Sequence, residues 1–312
     1  MKKFLKNILI FCSLMAGYLA INLLINFHRL TDPISLEGNV LIVGDSHLNT
    51  SLNPDQFVSA SNICMGGEAY ILTFYKLKKA IEDNKQIDRV LCGFSYNNFS
   101  AYRDGRLTGK KSKSQFSKYY PLLPLDLPEK IVVNETKFYH TFLRELGLYP
   151  NFSTPRYLGG FVKHTAELEK INLEETIKNH YYSNGAFIGI SPYTEQFLDS
   201  IVALTTENNI ELTLISSPLH KEYRTMIPEE IKAAFNKTKL RMTEQGIPVL
   251  NFLDEPYDDL FYKDYDHLNY EGAQIFTELI KEEISNRKMN GSPQREDIEN
   301  PADIRQQDLS NN

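Results

Sequence analysis

Tryptophan is absent from the 312 residues, and cysteine occurs only three times. Cys12, Cys64 and Cys92 are far apart, so no CxxC pair or cysteine-rich metal motif is available, and HExxH does not occur either. Joining Cys64 to Cys92 would require Cα atoms within about 7 Å. Both fall in strand-like runs, so free, buried thiols are expected. Positive charge is also scarce: 34 Lys and Arg stand against 40 Asp and Glu, for a formal net charge of -6. Nucleic-acid binding needs a concentrated basic face, and no nucleic-acid partner is expected. The lack of an internal repeat argues against a solenoid.

Apolar residues are plentiful, at 42%, enough for one sizeable core. They are most concentrated near the N-terminus. Lys2, Lys3 and Lys6 precede a run from Ile8 to Phe27 in which Ser13, Asn22 and Asn26 are the clearly polar interruptions. Twenty residues at 1.5 Å each just cross a hydrocarbon core of about 30 Å. A cleaved signal peptide has a shorter apolar region ending at a small-residue site, and "GYLAINLLINFHRL" offers none. Phe11 before Cys12 is a poor match to a lipoprotein signal. Residues 8–27 therefore read as an uncleaved membrane anchor within a segment 1–30. Three lysines before the run and Arg29 after it place the N-terminus in the cytoplasm. Everything else is expected outside, periplasmic or at the cell surface in a bacterium.

Beyond the anchor, strand and helix patterns alternate. "NVLIVG" (39–44), "SASNIC" (59–64), "DRVLCGFS" (88–95), "IELTLISSP" (210–218) and "IPVLNFLD" (247–254) read as strands. Tyr70, Phe74, Leu77 and Ile81 form one helical stripe, and Phe197, Ile201 and Leu204 another. Ile231, Phe235 and Met242 form a third, and Ala273, Phe276, Ile280 and Ile284 a fourth. Asn53 and Pro54 have the cap and first-residue pattern of a short helix. Such alternation predicts a three-layer α/β domain with a parallel sheet of about five strands. Residues 99–190 break the rhythm and read as an insertion over one sheet edge, its Lys-rich run at 110–118 as a solvated loop. The domain then spans 31–286, followed by a polar tail, 287–312, expected to be disordered.

Chemistry concentrates where parallel strands end. Ser46 follows the first strand in "GDSHLN", Gly66 and Gly67 follow the second, and "GFSYNN" follows the third. Late in the chain, "DYDHLN" puts Asp264 three residues before His267. A serine hydroxyl needs a base, and the base works best with a carboxylate fixing its tautomer. Asp264 and His267 supply that couple, with Asp266 expected to point elsewhere. An oxyanion needs donors, for which the Ser46 backbone N–H and a glycine N–H qualify. "GFSYN" half-matches a nucleophile elbow around Ser95, but its second glycine is missing.

Order, spacing and setting together resemble the SGNH (GDSL-like) hydrolase superfamily over residues 38–95 and 195–286. The resemblance implies a flavodoxin-like α/β/α sandwich with Ser46 as nucleophile, His267 as base, Asp264 as its orienting carboxylate and Gly67 as an oxyanion-hole donor. It implies no metal and no organic cofactor. The family's third block usually reads Gly-x-Asn, whereas Gly93-Phe94-Ser95 stands here. Ser95 takes the oxyanion position, with Asn97 and Asn98 just beyond. His47, His220, Asn97 and Asn98 are candidate substrate contacts. The expected activity is a serine esterase or O-acyltransferase acting on acyl, chiefly acetyl, esters of a carbohydrate or cell-envelope polymer. The alternative is a weak or inactive relative that binds or assembles polysaccharide.

Overall fold

The computed structural model describes residues 1–289 except 110–111, 151, 153–154, 166–167 and 169–171. Three apolar runs early in the domain form β1 (Val40–Val43), β2 (Ala60–Asn62) and β3 (Arg89–Gly93). Two short hairpins are β4–β5 (Tyr182–Ser183, Ala186–Phe187) and β8–β9 (Tyr262–Asp264, His267–Leu268). Between them in sequence come β6 (Glu211–Ser216) and β7 (Val249–Asn251). The central sheet has the order β2-β1-β3-β6-β7, with every pair parallel. Numbered among themselves, these strands run 2-1-3-4-5, the flavodoxin-like order whose switch point lies between the first and third. The expected five-stranded α/β/α sandwich is therefore the observed one.

Strand periodicity sorts the core into two layers. Side chains alternate across a strand, so Leu41, Val43, Val90, Cys92, Leu212 and Leu214 face one way. They meet α3 (Tyr70–Asp83), α9 (Thr194–Glu207) and α11 (Glu229–Glu244). Ile42, Leu91, Ile215 and Leu250 face the other way, onto α2 (Ser46–Ser51) and α12 (Tyr270–Met289). Cys64 and Cys92 are free and buried, and burial pushes both thiols well above their ordinary range.

The insertion is largely helical: α4 (Tyr102–Thr108), α5 (Ser112–Tyr119), α6 (Leu127–Lys130), α7 (Glu135–Gly147) and α8 (Leu173–Tyr181). Its two ends meet in an antiparallel bridge between Ser100 and Ile190. Ser112–Tyr119 is thus helix where the sequence suggested a solvated loop. Phe116 and Tyr119, buried four and seven residues into α5, drive it. A short helix, α10 (Lys221–Met226), follows β6. At the N-terminus α1 (Lys2–Thr31) contains a 27-residue segment, Lys2–His28, long and apolar enough to cross a membrane. α12 runs past Lys288 to Met289, and the remaining tail lies outside the described residues.

Candidate active site

β1 ends where the backbone must turn sharply against β3. Gly44 has φ +137°, and a β-carbon there would come within 3.1 Å of the Gly93 backbone nitrogen. The Asp45 side chain then caps α2 by accepting from His47 N at 3.0 Å. Ser46 is consequently the first helical residue, at the carboxyl end of β1. Its hydroxyl makes no side-chain hydrogen bond and is only partly buried.

The second half of the site is the β8–β9 turn. His267 Nδ1 lies 2.8 Å from Asp264 Oδ1, as the DxxH spacing suggested. Asp266 corrects the sequence reading: its Oδ1 is 3.3 Å from the same nitrogen, and its Oδ2 is 3.9 Å from His47 Nε2. Within the turn the Asp266 N–H donates to Asp264 Oδ1 at 3.1 Å, and its carboxylate lies beside that of Asp264 instead of away from it. Asn269 ties down the turn, donating to Leu260 O at 2.6 Å and accepting from Gly272 N at 3.0 Å. α2 packs on β9, bringing the His47 and His267 rings to 5.2 Å between centroids. His267 Nε2 is buried and has no hydrogen-bond partner among the described residues.

Charge is unevenly shared between these rings. Burial alone would lower the His267 pKa, but the carboxylates of Asp266 and Asp264 outweigh it and raise it to about 10. Burial also acts against Asp266, yet His267 holds that carboxyl well below its ordinary range. His47 goes the other way, its pKa lowered chiefly by burial despite the nearby Asp45. The carboxylates thus favour the charged ring at 267, whereas burial favours the neutral ring at 47. His47, Asp266 and His267 each offer one ligand atom within 4.8 Å of the others, a set that a divalent cation can use.

The residues after β3 are occupied structurally. Ser95 caps the 3-10 turn Tyr96–Phe99, its hydroxyl accepting from Asn97 N at 3.4 Å. Asn98 closes that capping box by accepting from Ser95 N at 2.8 Å, and donates to Asp45 Oδ2 at 3.3 Å. Asn97 Oδ1 accepts from the hydroxyls of Tyr181 at 2.5 Å and Tyr223 at 2.8 Å. Its amide nitrogen is thereby aimed at His47 Nε2, 2.8 Å away. Tyr223 continues the chain to His180 Nδ1 at 2.7 Å. His47 itself is buried and adjoins both Asn97 and the His267 ring.

Gly67, after β2, has φ +71°, and a β-carbon there would collide with the Arg106 guanidinium. The neighbouring Glu68 is buried against Lys76 Nζ at 2.6 Å and Tyr119 OH at 2.6 Å, which anchors this loop. His220 packs at the start of α10 against the β8–β9 hairpin. Its Nε2 lies 3.0 Å from Asp259 Oδ1, and its Nδ1 accepts from Glu222 N at the start of α10. The ring stacks edge-on to Tyr262 and Tyr265, buttressing the β8–β9 hairpin.

Sequence reasoning missed the contribution of α4. Arg103 Nη2 pairs with Asp45 Oδ2, and Arg106, one turn on, lies over Gly67. The i, i+3 spacing of two arginines was visible, but nothing local says what they reach.

No family model matches this chain, and no curated protein does. Among solved structures it is similar to a protein assigned as an acylhydrolase from Bacteroides fragilis NCTC 9343. That match has 14% identity and a TM-score of 0.36, over 86% of this chain and 94% of the other. It is also similar to a GDSL-like lipase from Bacteroides thetaiotaomicron VPI-5482. Identity there is 14% and the TM-score 0.37, over 87% and 97% of the two chains.

Proposed function

We propose that this chain is a membrane-anchored serine esterase or O-acyltransferase of the extracytoplasmic space, acting on acyl esters of a carbohydrate or envelope polymer. The observation that carries the reading is the paired geometry of His267. Its Nδ1 is held by Asp264 at 2.8 Å, while its Nε2 is buried, unpartnered and next to the helix that begins at Ser46. In the reaction, neutral His267 takes the Ser46 proton at Nε2 as Oγ attacks the ester carbonyl. The N–H groups of Ser46 and Gly67 receive the developing oxyanion. Collapse expels the alcohol, protonated by Nε2–H, and leaves an acyl-serine. Water or a sugar hydroxyl, deprotonated by the same nitrogen, then removes the acyl group.

The anchor reading of α1, with the N-terminus cytoplasmic, places the substrate outside the cytoplasm. Labelling full-length protein with a serine-reactive fluorophosphonate, alongside Ser46→Ala, tests the chemistry. Labelling that survives the substitution rejects Ser46.

A second reading is favoured by two observations. Ser95, Asn97 and Asn98 are all committed to structural hydrogen bonds, and Asp266 and Asp264 crowd His267 so that its charged form is favoured. Both support a slow or inactive relative that binds polysaccharide. Acetylated-glycan binding without fluorophosphonate labelling at any pH up to about 10 selects it, because a functional base would be neutral there.

A further inference from the structure

Asn22 and Asn26 interrupt an otherwise apolar helix, and an amide in hydrocarbon needs a partner. Both are buried, and α7 provides the partners. Asn26 Nδ2 lies within 2.9 Å of Glu145 O and 2.8 Å of Leu146 O and Tyr149 O. Asn22 Nδ2 donates to Gly147 O at 3.0 Å, and Tyr18 OH to Leu148 O at 2.9 Å. These include the terminal carbonyls that a helix leaves without internal partners. The end of α7 and the two residues after it thus lie alongside α1, their carbonyls meeting the stretch between Tyr18 and Asn26.

The length of α1 sets the depth. Residues 8–27 extend about 30 Å, no more than a hydrocarbon core, so α1 cannot cross while leaving Tyr18 to Asn26 in water. Tyr18 is ten residues, about 15 Å, before His28, where the apolar segment ends. Side chains around the tip of α7 suit such a setting: Leu143 is 69% exposed, Leu148 47%, Tyr149 55% and Phe152 68%. Towards the start of α7 the exposed side chains are mostly polar: Glu135, Thr136, Lys137 and His140. Polarity falls along α7 in the direction in which it approaches the span. Arg144 stacks over Tyr149 at 5.7 Å and shares Glu145 with Arg156, and its stem can lie along apolar surface while its head stays on polar partners.

We propose that the C-terminal end of α7, with Leu148, Tyr149 and Phe152, inserts into the bilayer leaflet on the catalytic-domain side, against α1. The domain then has two membrane attachments instead of one tether. The inserted tip connects to the Ser46 pocket through packed helices: Phe138 of α7 meets Phe116 of α5, and α5 packs on α4, whose Arg103 holds Asp45. The pocket is thereby held at a fixed orientation to the membrane. This inference rests on the transmembrane reading of α1 and on no chemistry at Ser46.

The test uses the full chain in phosphatidylcholine–phosphatidylglycerol vesicles, with and without brominated phosphatidylcholine. An environment-sensitive fluorophore is placed on Leu143→Cys or Phe152→Cys in a Cys12→Ser background, where Cys64 and Cys92 are buried. Native Cys12 reports on α1, and Leu240→Cys, exposed on α11, serves as reference. Expected are blue-shifted emission and loss of fluorescence with brominated lipid at 143 and 152, as at Cys12, but not at 240. Positions 143 and 152 behaving like 240 while Cys12 is quenched overturns the proposal. So does shielding from water without bromine quenching, the sign of a protein covering this surface. Unquenched Cys12 removes the anchor reading and this inference together, whereas fluorophosphonate labelling of the same vesicles reports on Ser46 independently.

Discussion

Arg103 Nη2 lies 2.5 Å from Asp45 Oδ2, a buried ion pair that ties the insertion to the residue immediately before Ser46. Burial alone would raise the Asp45 pKa, but Arg103, His47 and the His47 N–H reverse it, and the carboxyl is held below its ordinary range. Breaking one side of a buried pair strands the other charge. Arg103→Met is expected to destabilise by about 3 to 5 kcal/mol, read from urea unfolding. Because the folded pKa is depressed, this stabilisation is present above the ordinary carboxyl pKa of about 3.9 and lost as pH falls through the folded value. The difference between wild type and Arg103→Met should therefore shrink in acid.

Ser46→Ala separates chemistry from folding. The hydroxyl makes no side-chain hydrogen bond, so stability should change by no more than about 0.5 kcal/mol. Ester turnover should fall by at least about 10³-fold, the residual rate coming from oxyanion donors and binding. Matched unfolding curves with unchanged turnover would refute the nucleophile assignment.

His267 predicts the pH dependence. Its folded pKa is raised to about 10, above the unfolded histidine value of about 6.5. The ion cluster contributes fully below about pH 6.5 and is lost as pH rises through about 10. In the proposed reaction catalysis runs the opposite way, because only the neutral ring could accept the Ser46 proton. Turnover should increase with pH on a single-proton limb ending near 10. Asp266→Asn should move both the limb and the NMR titration of the His267 ring toward the ordinary histidine range. Midpoints that stay put would show that Asp266 does not set the charge.

Gly67 tests the proposed oxyanion role of its loop. Its φ of +71° is left-handed, and the Arg106 guanidinium occupies the place of a β-carbon. Gly67→Ala is expected to cost about 1 to 3 kcal/mol from backbone strain and to lower kcat more than it changes KM. Paired unfolding and steady-state measurements check both parts.

Much of this protein was written in short-range patterns. The five apolar runs, the helical stripe from Tyr70 to Ile81 and the spacing of Asp264 and His267 depend on neighbours a few residues away. Local sterics and periodicity therefore determined the sandwich, its strands and the His267 couple. Asp266 was misjudged because the rings it lies against, His267 and His47, are brought together by the packing of α2 on β9. The polar residues after β3 looked like spare donors, yet their partners Asp45, Tyr181 and Tyr223 come from three other segments. Arg103 finds Asp45 across 58 positions, and Asn22 and Asn26 find the end of α7 across more than a hundred. Burial leaves a charge or an amide no solvent to bond, so each had to be satisfied by whatever the fold brought near. Which partners those were, and hence the surroundings of His267 and the packing of α7 on α1, only the tertiary structure decided.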